Sequence, residues 1–278
     1  MNFLKRFARN RGAVIGILIL LAVIAFAILA PTLYPQSPWR PVARPFLAPF
    51  VNERFPLGTD TLGRNLASGL VHGARVSLMI GVVSTLVALV IGVPLGAVAG
   101  YAGGFVDDAL MRFTEFFQTI PSFALAIVLV AILQPQLGSI VLAIGVVSWP
   151  PVARLVRGEV LSLRSREYVQ AAVTIGQSTP RIIFSQVLPN TIAPIIVMGS
   201  LMIGSAILLE SSLSFLGLGD PNLMSWGYMV GAGRTRLLDA WWISFFPGLA
   251  IFLTVLALNL AGEGLNDALN PRLARERE

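Results

Sequence analysis

The residues of this chain that could do chemistry are few, and their spacing builds no recognisable catalytic site. The one lysine, Lys5, does not follow a glycine-rich loop, so the chain cannot form the phosphate cradle of a P-loop ATPase. The one histidine, His72, has no neighbouring donors of the kind that a metal site needs. The sequence contains neither a His-Glu-x-x-His helix nor a Gly-x-Ser-x-Gly elbow. These observations disfavour an enzyme, and any ATP-derived energy must come from another chain.

Two carboxylates lie at or near apolar segments, where an unpaired charge costs roughly 2.5–3.5 kcal/mol on insertion scales. Glu115 and Glu210 should therefore face water, a partner or the protein interior. For Glu210, at the outer end of the fifth predicted span, two interpretations remain open. It is either a polar group at the mouth of a pore or part of a capped, hydrated helix end.

Aromatic side chains gather around the last predicted outer loop. Anchoring at the membrane interface explains them without any ligand. Stacking against a ligand or another protein at the outer mouth of a pathway is the alternative, and Trp226 is the residue that we assign to it. The group comprises Trp226, Trp241, Trp242, Phe245 and Phe246.

The composition is that of an integral membrane protein. Hydrophobic residues make up 55% of the 278 positions and charged residues 12%, with a mean hydropathy of +0.78, values far from those of a soluble domain. Apolar runs separated by turn signals predict an all-α protein with six transmembrane helices. The predicted spans are residues 12–33, 75–101, 112–133, 138–156, 189–211 and 241–262. The chain has no cysteine, which excludes disulfides and thiolate metal sites.

Basic residues predict the orientation. Lys5, Arg6, Arg9 and Arg11 precede the first span and place the N-terminus in the cytoplasm. Six spans put the C-terminus and the long, arginine-rich loop before the fifth span on the same side. Residues 31–73 carry four arginines on the opposite side, a mismatch that we discount because charges at the first span usually dominate. The net charge of +6 thus reports topology, and it indicates no nucleic-acid partner because no basic stripe is interleaved with aromatics.

Glycines recur at every fourth position of the second predicted span, at Gly92, Gly96, Gly100 and Gly104. Small residues let another helix backbone approach closely, so we expect tight packing along this face. A sliding or hinging contact is the alternative, because Pro94 removes one backbone hydrogen bond and weakens the helix.

The connection between the fourth and fifth spans is about thirty residues long, more than a simple turn requires, and carries helical signals. Gly176 is expected to stop a first helix by adopting the left-handed conformation. Ser178 is expected to cap a second helix that has Pro180 in its first turn. The pattern predicts a helix, a turn and a helix. The apolar positions of the second helix are Ile182, Ile183, Phe184 and Val187.

This loop resembles the signature of importer-type ABC transporter permeases, which has a Glu-Ala-Ala triplet, a glycine after three further residues and a closing Leu-Pro. The matching positions are Gln170-Ala171-Ala172, Gly176 and Leu188-Pro189. The chain departs from the pattern at Gln170, where the family has Glu, and at Gln186, where it has Ile. In the family this loop is a coupling helix that sits in a cleft of a separate ATPase subunit. The resemblance implies a coupling role for Tyr168, Gln170, Ala171, Ala172, Gly176, Leu188 and Pro189.

Further blocks resemble the C-type permease subunit of dipeptide and oligopeptide ABC importers, in the same order along nearly the whole chain. The first covers residues 56–78, where we also expect Asp60 to cap a helix that starts near Leu62. The others are residues 100–112, residues 212–227, Asn259-Leu260 and Asn270-Pro271-Arg272. Collinear blocks identify the family more specifically than the loop signature alone.

The resemblance implies the type I ABC importer permease fold. Residues 1–73 would form an N-terminal helix and outer loop, residues 74–263 the transmembrane domain with a cytosolic coupling loop at 157–188, and residues 264–278 a cytosolic tail. The chain would form half of a peptide pathway with a homologous second permease subunit. Two ATPase subunits that bind ATP and Mg²⁺, and an extracytoplasmic substrate-binding protein, complete the expected assembly. This chain would bind no cofactor. The implied location is a bacterial or archaeal cytoplasmic membrane, with both termini cytosolic.

Two kinds of alternative remain. Within the family, relatives carry glutathione-like peptides or nickel chelates, and one permease sequence does not separate these solutes from dipeptides and oligopeptides. Outside the family, a secondary transporter driven by an ion gradient would need intramembrane carboxylates or interrupted helices in matched halves. The sequence shows no convincing internal repeat, so we favour the permease.

Overall fold

The computed structural model describes residues 7–269, which form helices, connecting segments and two isolated β-bridges but no strand. The predicted all-α class is confirmed. Lys5, Arg6 and the predicted block Asn270-Pro271-Arg272 lie outside the described residues. The helices in chain order are α1 Arg11–Leu33, α2 Leu66–Ala102, α3 Gly104–Thr119, α4 Ser122–Leu133, α5 Leu137–Arg164, α6 Glu167–Thr174, α7 Thr179–Ile182, α8 Leu188–Phe215, α9 Trp226–Gly233 and α10 Trp242–Leu269.

Five stretches within residues 7–269 are long and apolar enough to cross a bilayer. They are α1, α2, α5, the continuous run from the start of α7 to the end of α8, and α10. Helices α3 and α4 make a sixth unit only as a pair, because the chain bends by 82° between them. The six predicted spans correspond to these six units.

The third predicted span, residues 112–133, is not one continuous helix, and that expectation is wrong. Pro121 has no backbone N–H and disfavours a helical conformation at Ile120, which has φ −88° and ψ 126°. Helix α4 has only 12 residues, a length of about 18 Å, whereas the hydrocarbon core of a bilayer is about 30 Å thick. The crossing therefore needs α3, which meets α4 at an angle.

Helix α2 packs closely against α5 along the predicted glycine face. A Cβ added to Gly92 would lie 2.6 Å from a valine side chain of α5, and one added to Gly100 would lie 2.7 Å from the Arg157 carbonyl oxygen. Gly96 is closed off in the same way. The packing interpretation is confirmed for these three glycines. It is wrong for Gly104, which lies beyond the end of α2 and has no neighbour within 4 Å of an added Cβ.

Helix α1 lies against α10. Gly16 brings the two backbones so close that an added Cβ would lie 2.7 Å from the Ala257 carbonyl oxygen. Near the same end, the Asn10 side-chain amide donates to Asp267 at 3.2 Å. The other faces of α1 expose leucine and isoleucine side chains, as expected of a helix that faces lipid.

Residues 34–65, which we call the 34–65 connection, join α1 to α2 through an irregular but closely bonded segment. The predicted cap at Asp60 is wrong, because Asn65 caps α2 by accepting a 3.0 Å hydrogen bond from Ala67 N–H. Asp60 instead pairs with the Arg64 guanidinium at 2.5 Å, and both side chains are buried. Burial lowers the pKa of Arg64, but the Asp60 carboxylate and the Tyr228 hydroxyl together more than offset this effect, so the pKa is raised.

The 34–65 connection is also fastened to the last two helices. The Arg64 guanidinium lies 5.0 Å from the ring centroid of Trp39 and 5.8 Å from that of Tyr228 in α9. The indole N–H of Trp242 in α10 donates to the Thr59 carbonyl at 3.1 Å. These contacts fix the buried end of the connection, around Thr59 and Arg64, to the core of the bundle.

Candidate functional site

The connection between α5 and α8 has the predicted order of helix, turn and helix. Because α5 continues to Arg164, the loop predicted over residues 157–188 is shorter and covers residues 165–187, which we call the helical loop. Helix α7 begins after Ser178, whose side chain makes no capping hydrogen bond, contrary to the expectation.

Gly176 ends α6 in the left-handed conformation, with φ +77°, as the sequence predicts. Its N–H donates to the Val173 carbonyl at 2.9 Å, and the next N–H, of Gln177, donates to the Ala172 carbonyl at 3.1 Å. This pair of bonds is a Schellman motif, in which a residue with positive φ lets the chain satisfy the last carbonyls of a helix. It fixes the direction in which the chain leaves α6.

A single turn of π-helix, Ile183–Val187, joins α7 to α8. The Leu188 N–H donates to the carbonyl of Ile183, five residues earlier. Such turns are rare and occur often at functional sites. With this turn, the chain forms one helical rod over Thr179–Phe215, so the helical loop continues without a break into a spanning helix.

One face of the helical loop is anchored in the subunit. Its side chains pack with valines of α5 in a buried cluster. Ala172, predicted to face a partner, lies on this buried face, so that expectation is wrong for Ala172. The anchoring residues are Val169, Ala172, Ile182, Ile183 and Val187.

Other positions of the helical loop expose apolar side chains. Ile175 is 74% exposed and Phe184 is 71% exposed, and Tyr168 and Val173 are exposed as well. Of the four apolar positions predicted for the second helix, Phe184 alone is exposed, and Ile182, Ile183 and Val187 are buried.

Sequence reasoning missed Val173 and Ile175 as exposed apolar residues. Helical spacing gives no signal for them, because Val173 lies four residues after Val169 and Ile175 lies three after Ala172, spacings that predict the anchored face. Of the other predicted coupling residues, the structure leaves four exposed and one half-buried. Exposed are Gln170, Ala171, Gly176 and Pro189, and half-buried is Leu188.

The Gln170 side chain closes the end of α5. Its amide group donates to the Arg164 carbonyl at 2.9 Å, one of the carbonyls that a helix leaves without a partner at its C-terminus. An ionised Glu, which the family pattern has at this position, has no N–H group and cannot make this bond. The departure from the pattern therefore has a structural role in this chain.

A cavity of about 690 Å³ lies between the α3–α4 turn, α5 and α8. Ligand sites usually measure about 300–1,000 Å³. The wall includes Phe117, two methionines and three serines, and Arg154 is the only charged residue among the described residues that line it. The cavity is therefore large enough for a small solute and carries both apolar and polar surface.

The cavity and the helical loop are built on the same two helices. Arg154 lies ten residues before the end of α5, and Met198 lies ten residues after the start of α8. At 1.5 Å per residue, each is about 15 Å from the helical loop. A displacement of the helical loop relative to the bundle would therefore reach the cavity wall through rigid helices.

An ion pair fixes α3 to α5 near the cavity. Arg157 donates from Nε and Nη2 to the two carboxylate oxygens of Asp107, at 2.5 and 2.6 Å. Pairs with two parallel bonds set orientation as well as distance. Phe113 and Phe117 of α3 pack on Trp149 of α5 with ring centroids 5.9 and 5.4 Å apart. These contacts hold the α3–α4 side of the cavity in place.

Glu210 lies neither at a pore mouth nor at a hydrated helix end, so both expectations are wrong. The residue is 2% exposed, and its Oε1 accepts hydrogen bonds of 2.7 Å from the hydroxyls of Ser214 and Ser225. Ser225 in turn caps α9 by accepting from the Tyr228 N–H at 3.0 Å. Glu210 therefore joins α8 to α9 inside the fold.

Trp226 is also only 2% exposed, which corrects the expectation that it lines an outer mouth. Its indole N–H donates to the Leu70 carbonyl at 2.8 Å, and its backbone N–H donates to the Ser77 hydroxyl at 3.1 Å. Two blocks of the family pattern, one at the start of α2 and one at α9, thus meet in the core.

The remaining candidates form no metal site. Within residues 7–269, no three His, Asp or Glu side chains are arranged to hold a metal ion. His72 lies 3.0 Å from the Tyr34 carbonyl through its Nε2 atom, and Glu115 is exposed on α3.

Two family models match the chain. One, described as the inner membrane component of binding-protein-dependent transport systems, matches residues 92–275. The other, described as the N-terminal transmembrane domain of oligopeptide transport permease C, matches residues 2–56.

Relatives match nearly the whole chain. The di/tripeptide transport system permease protein of Pseudomonas aeruginosa is 43% identical, over 98% of this chain and 92% of that protein. The dipeptide transport system permease protein of Bacillus subtilis is 42% identical, over 98% and 85%. The glutathione transport system permease protein of Pectobacterium atrosepticum is 40% identical, over 98% and 91%.

The fold is also found among solved structures. The inward-facing MetNI methionine ABC transporter contains a chain that matches with a TM-score of 0.60 and 15% identity, over 73% of this chain and 97% of that one. The likeness confirms the predicted type I ABC importer permease fold. Because the first family model spans more than half of the sequence and relatives match it almost end to end, the chain belongs to the inner membrane permease components of binding-protein-dependent ABC importers, which work with ATPase and binding-protein partners.

Proposed function

We propose that the chain forms half of the membrane pathway of an ATP-driven importer of short peptides, and that an ATPase moves it through the helical loop. Relatives named as dipeptide and di/tripeptide permeases support this solute class. A homologous second permease subunit completes the pathway, two ATPase subunits bind ATP and Mg²⁺, and a binding protein delivers the peptide. This chain hydrolyses no ATP itself.

The observation that carries the proposal is the two-sided construction of the helical loop. Ile175 and Phe184 stand exposed on an element whose other face is buried in the subunit. Covering one such side chain stabilises a complex by about 1.5–3 kcal/mol. A partner cleft that covers both side chains therefore gains binding free energy. The docking surface is rigid because the buried side chains of the helical loop pack against α5.

Coupling requires that rigidity. Moving a two-state pathway from about 1:99 to 99:1 needs roughly 5.5 kcal/mol of differential interaction. The Schellman motif at Gly176 and the unbroken rod over Thr179–Phe215 both oppose bending in the helical loop. A push on the exposed face is therefore transmitted to α8 and to the cavity wall.

Co-purification after mild detergent extraction tests the docking surface. The double variant Ile175→Ser, Phe184→Ser should lose the ATPase subunits while keeping the second permease subunit. Leu238→Ser is the matched control, because Leu238 is 98% exposed but lies between α9 and α10, outside the helical loop. Retention of the ATPase by the double variant, or its loss from the control, would contradict the proposal.

Single cysteines test the proposed orientation, with both termini and the helical loop in the cytosol. The natural chain has no cysteine, so each added thiol gives an unambiguous signal. A membrane-impermeant maleimide applied to intact cells should label Leu238→Cys and spare Ile175→Cys. The reverse pattern would place the helical loop outside and end the coupling proposal.

Uptake by cells that express the complete assembly tests the solute. Labelled dialanine should enter only when ATPase and binding protein are present, and excess dipeptide should compete better than oligopeptide or chelated nickel. Glutathione is the second candidate, because one 40% identical relative is a glutathione permease. Stronger competition by glutathione than by dipeptide would transfer the proposal to that solute.

A further inference from the structure

Two arginines one turn apart on α5 have different surroundings. Arg157 is held by both carboxylate oxygens of Asp107. Arg154 lines the 690 Å³ cavity, is exposed, and forms no ion pair with any residue in 7–269. A cation within a spanning helix is costly unless it faces water or a partner group. The unpaired arginine therefore indicates a transient anionic partner at the cavity.

The rest of the cavity wall fits a zwitterion with varied side chains. Pro150 and Pro151 lie within α5 beside the cavity. They have no N–H to donate to carbonyls one turn earlier, among them that of the lining residue Val147. This carbonyl is an acceptor that can take an ammonium group. Met198 and Met202 on the facing helix offer soft, adaptable surface that tolerates different shapes.

The two polar groups are suitably spaced. Val147 and Arg154 are seven residues apart on α5, about 10 Å along the axis. Helical side chains tilt towards the N-terminal end, so the Arg154 guanidinium lies closer to the Val147 carbonyl than the two backbone positions are. The remaining distance approaches the length of a short peptide, which extends about 3.5 Å per residue.

We propose that Arg154 binds the terminal carboxylate of the peptide as it crosses the membrane, and so orients the peptide in the cavity. The inference rests on the proposed peptide transport and adds a specificity-determining residue to it. The competing source of the same chemistry is a carboxylate of the homologous permease subunit, and the experiment below separates the two.

The test is charge replacement at one position in the complete reconstituted importer, with initial uptake of labelled dialanine as the readout. Arg154→Cys should lower uptake by about ten- to a hundredfold, the range expected for one lost charge-assisted hydrogen bond. A cationic trimethylammonium methanethiosulfonate should restore uptake to within a few-fold of the unmodified protein. The anionic sulfonate reagent of similar size should leave it low. Arg154→Lys should retain most uptake.

Two controls isolate the effect. The first control is uptake by the natural chain treated with the same reagents. Because this chain has no cysteine, any change in its uptake comes from modification of other subunits. Leu142→Cys is exposed on α5 but outside the cavity lining, and neither reagent should change its uptake. Saturating dialanine should slow modification of Arg154→Cys and leave that of Leu142→Cys unaffected.

Each result has a defined meaning. Equal effects of the cationic and anionic reagents, or normal uptake by Arg154→Cys, would overturn the role of Arg154. Loss of the second permease subunit from Arg154→Cys, without protection by dialanine, would assign the arginine to the subunit interface and also overturn it. Failure of the natural assembly to take up dialanine would instead refute the proposed function. Uptake by the unmodified protein therefore tests that function independently of Arg154.

Discussion

Two connections between spanning helices, the 34–65 connection and the helical loop, are built in opposite ways. At its end near α2, the 34–65 connection buries an ion pair between Asp60 and Arg64, and the arginine also contacts two aromatic rings. The helical loop buries only one face and leaves Ile175 and Phe184 in solvent. The first connection is fixed to the last two helices by pairing within the chain, whereas the second carries the exposed apolar side chains on which the proposed docking rests.

One glycine with positive φ in each connection shows the same difference in packing. Gly63 has φ +74°, and an added Cβ would collide with the Ala43 carbonyl. Gly176 has φ +77° but no atom within 4 Å of an added Cβ. Similar backbone geometry therefore serves internal packing in one place and an open surface in the other.

The largest effect is expected where the 34–65 connection buries charge. Asp60→Ala leaves the buried Arg64 guanidinium unpaired, which costs about 3–5 kcal/mol, and should lower the melting temperature of the purified subunit by several degrees. Asp239→Ala is the control, because its contact with Arg236 is exposed and 3.9 Å long and is worth at most about 1 kcal/mol. Similar shifts for both variants would remove the distinction between the two connections.

The next effect separates packing from backbone strain at the two glycines. Gly63→Ala should destabilise by about 2–5 kcal/mol, since left-handed strain of about 1–2 kcal/mol adds to an overlap of about 1–3 kcal/mol. Gly176→Ala should cost only the strain, about 1–2 kcal/mol. Thermal unfolding in detergent measures the difference. Equal losses at the two positions would show that the helical loop is as tightly packed as the 34–65 connection.

A smaller change in free energy should still have a clear functional readout. Gly176→Val distorts the end of α6, so the assembly should form and hydrolyse ATP while dialanine uptake falls about tenfold, or about 1.4 kcal/mol. Gly158→Val adds the same bulk in open space on α5 without positive φ, and it should transport normally. Normal uptake by Gly176→Val would contradict coupling through the helical loop.

The smallest effect concerns one hydrogen bond. Gln170→Glu removes the donor to the Arg164 carbonyl and should cost about 0.5–1.5 kcal/mol. Faster amide hydrogen exchange in α6, without a change in global melting temperature, is the expected observation. Gln186→Glu adds the same charge in the same loop and provides the comparison. No change in exchange at α6 would mean that this bond does not hold the helix.

Much of the architecture followed from local signals in the sequence. Long apolar runs located the spanning units, and the glycine spacing located the seam between α2 and α5. Gly176 was identified correctly because a left-handed helix end strongly favours glycine. These features depend on neighbouring residues along the chain, which is the information that a single sequence carries.

The errors arose where distant residues compete for the same group. Asp60 has the chemistry of a helix cap, yet Arg64 and the rest of the 34–65 connection take its carboxylate, and Asn65 caps α2 instead. Glu210 left two interpretations open, a pore mouth or a hydrated helix end, and neither anticipated its burial against Ser214 of α8 and Ser225, the N-cap of α9. Such partners come together only in the folded chain.

The π turn at Ile183–Val187 sets the rotation of α8 about its long axis relative to the helical loop. A π turn holds one residue more than an α turn, and one residue of an α-helix corresponds to about 100° of rotation. Tightening this turn to α geometry would swing α8 about its long axis by roughly that angle relative to the helical loop. Met198 and Met202 would then point in new directions. A change of winding at the base of the rod would therefore change which side chains of α8 line the cavity, without any bending of the helix.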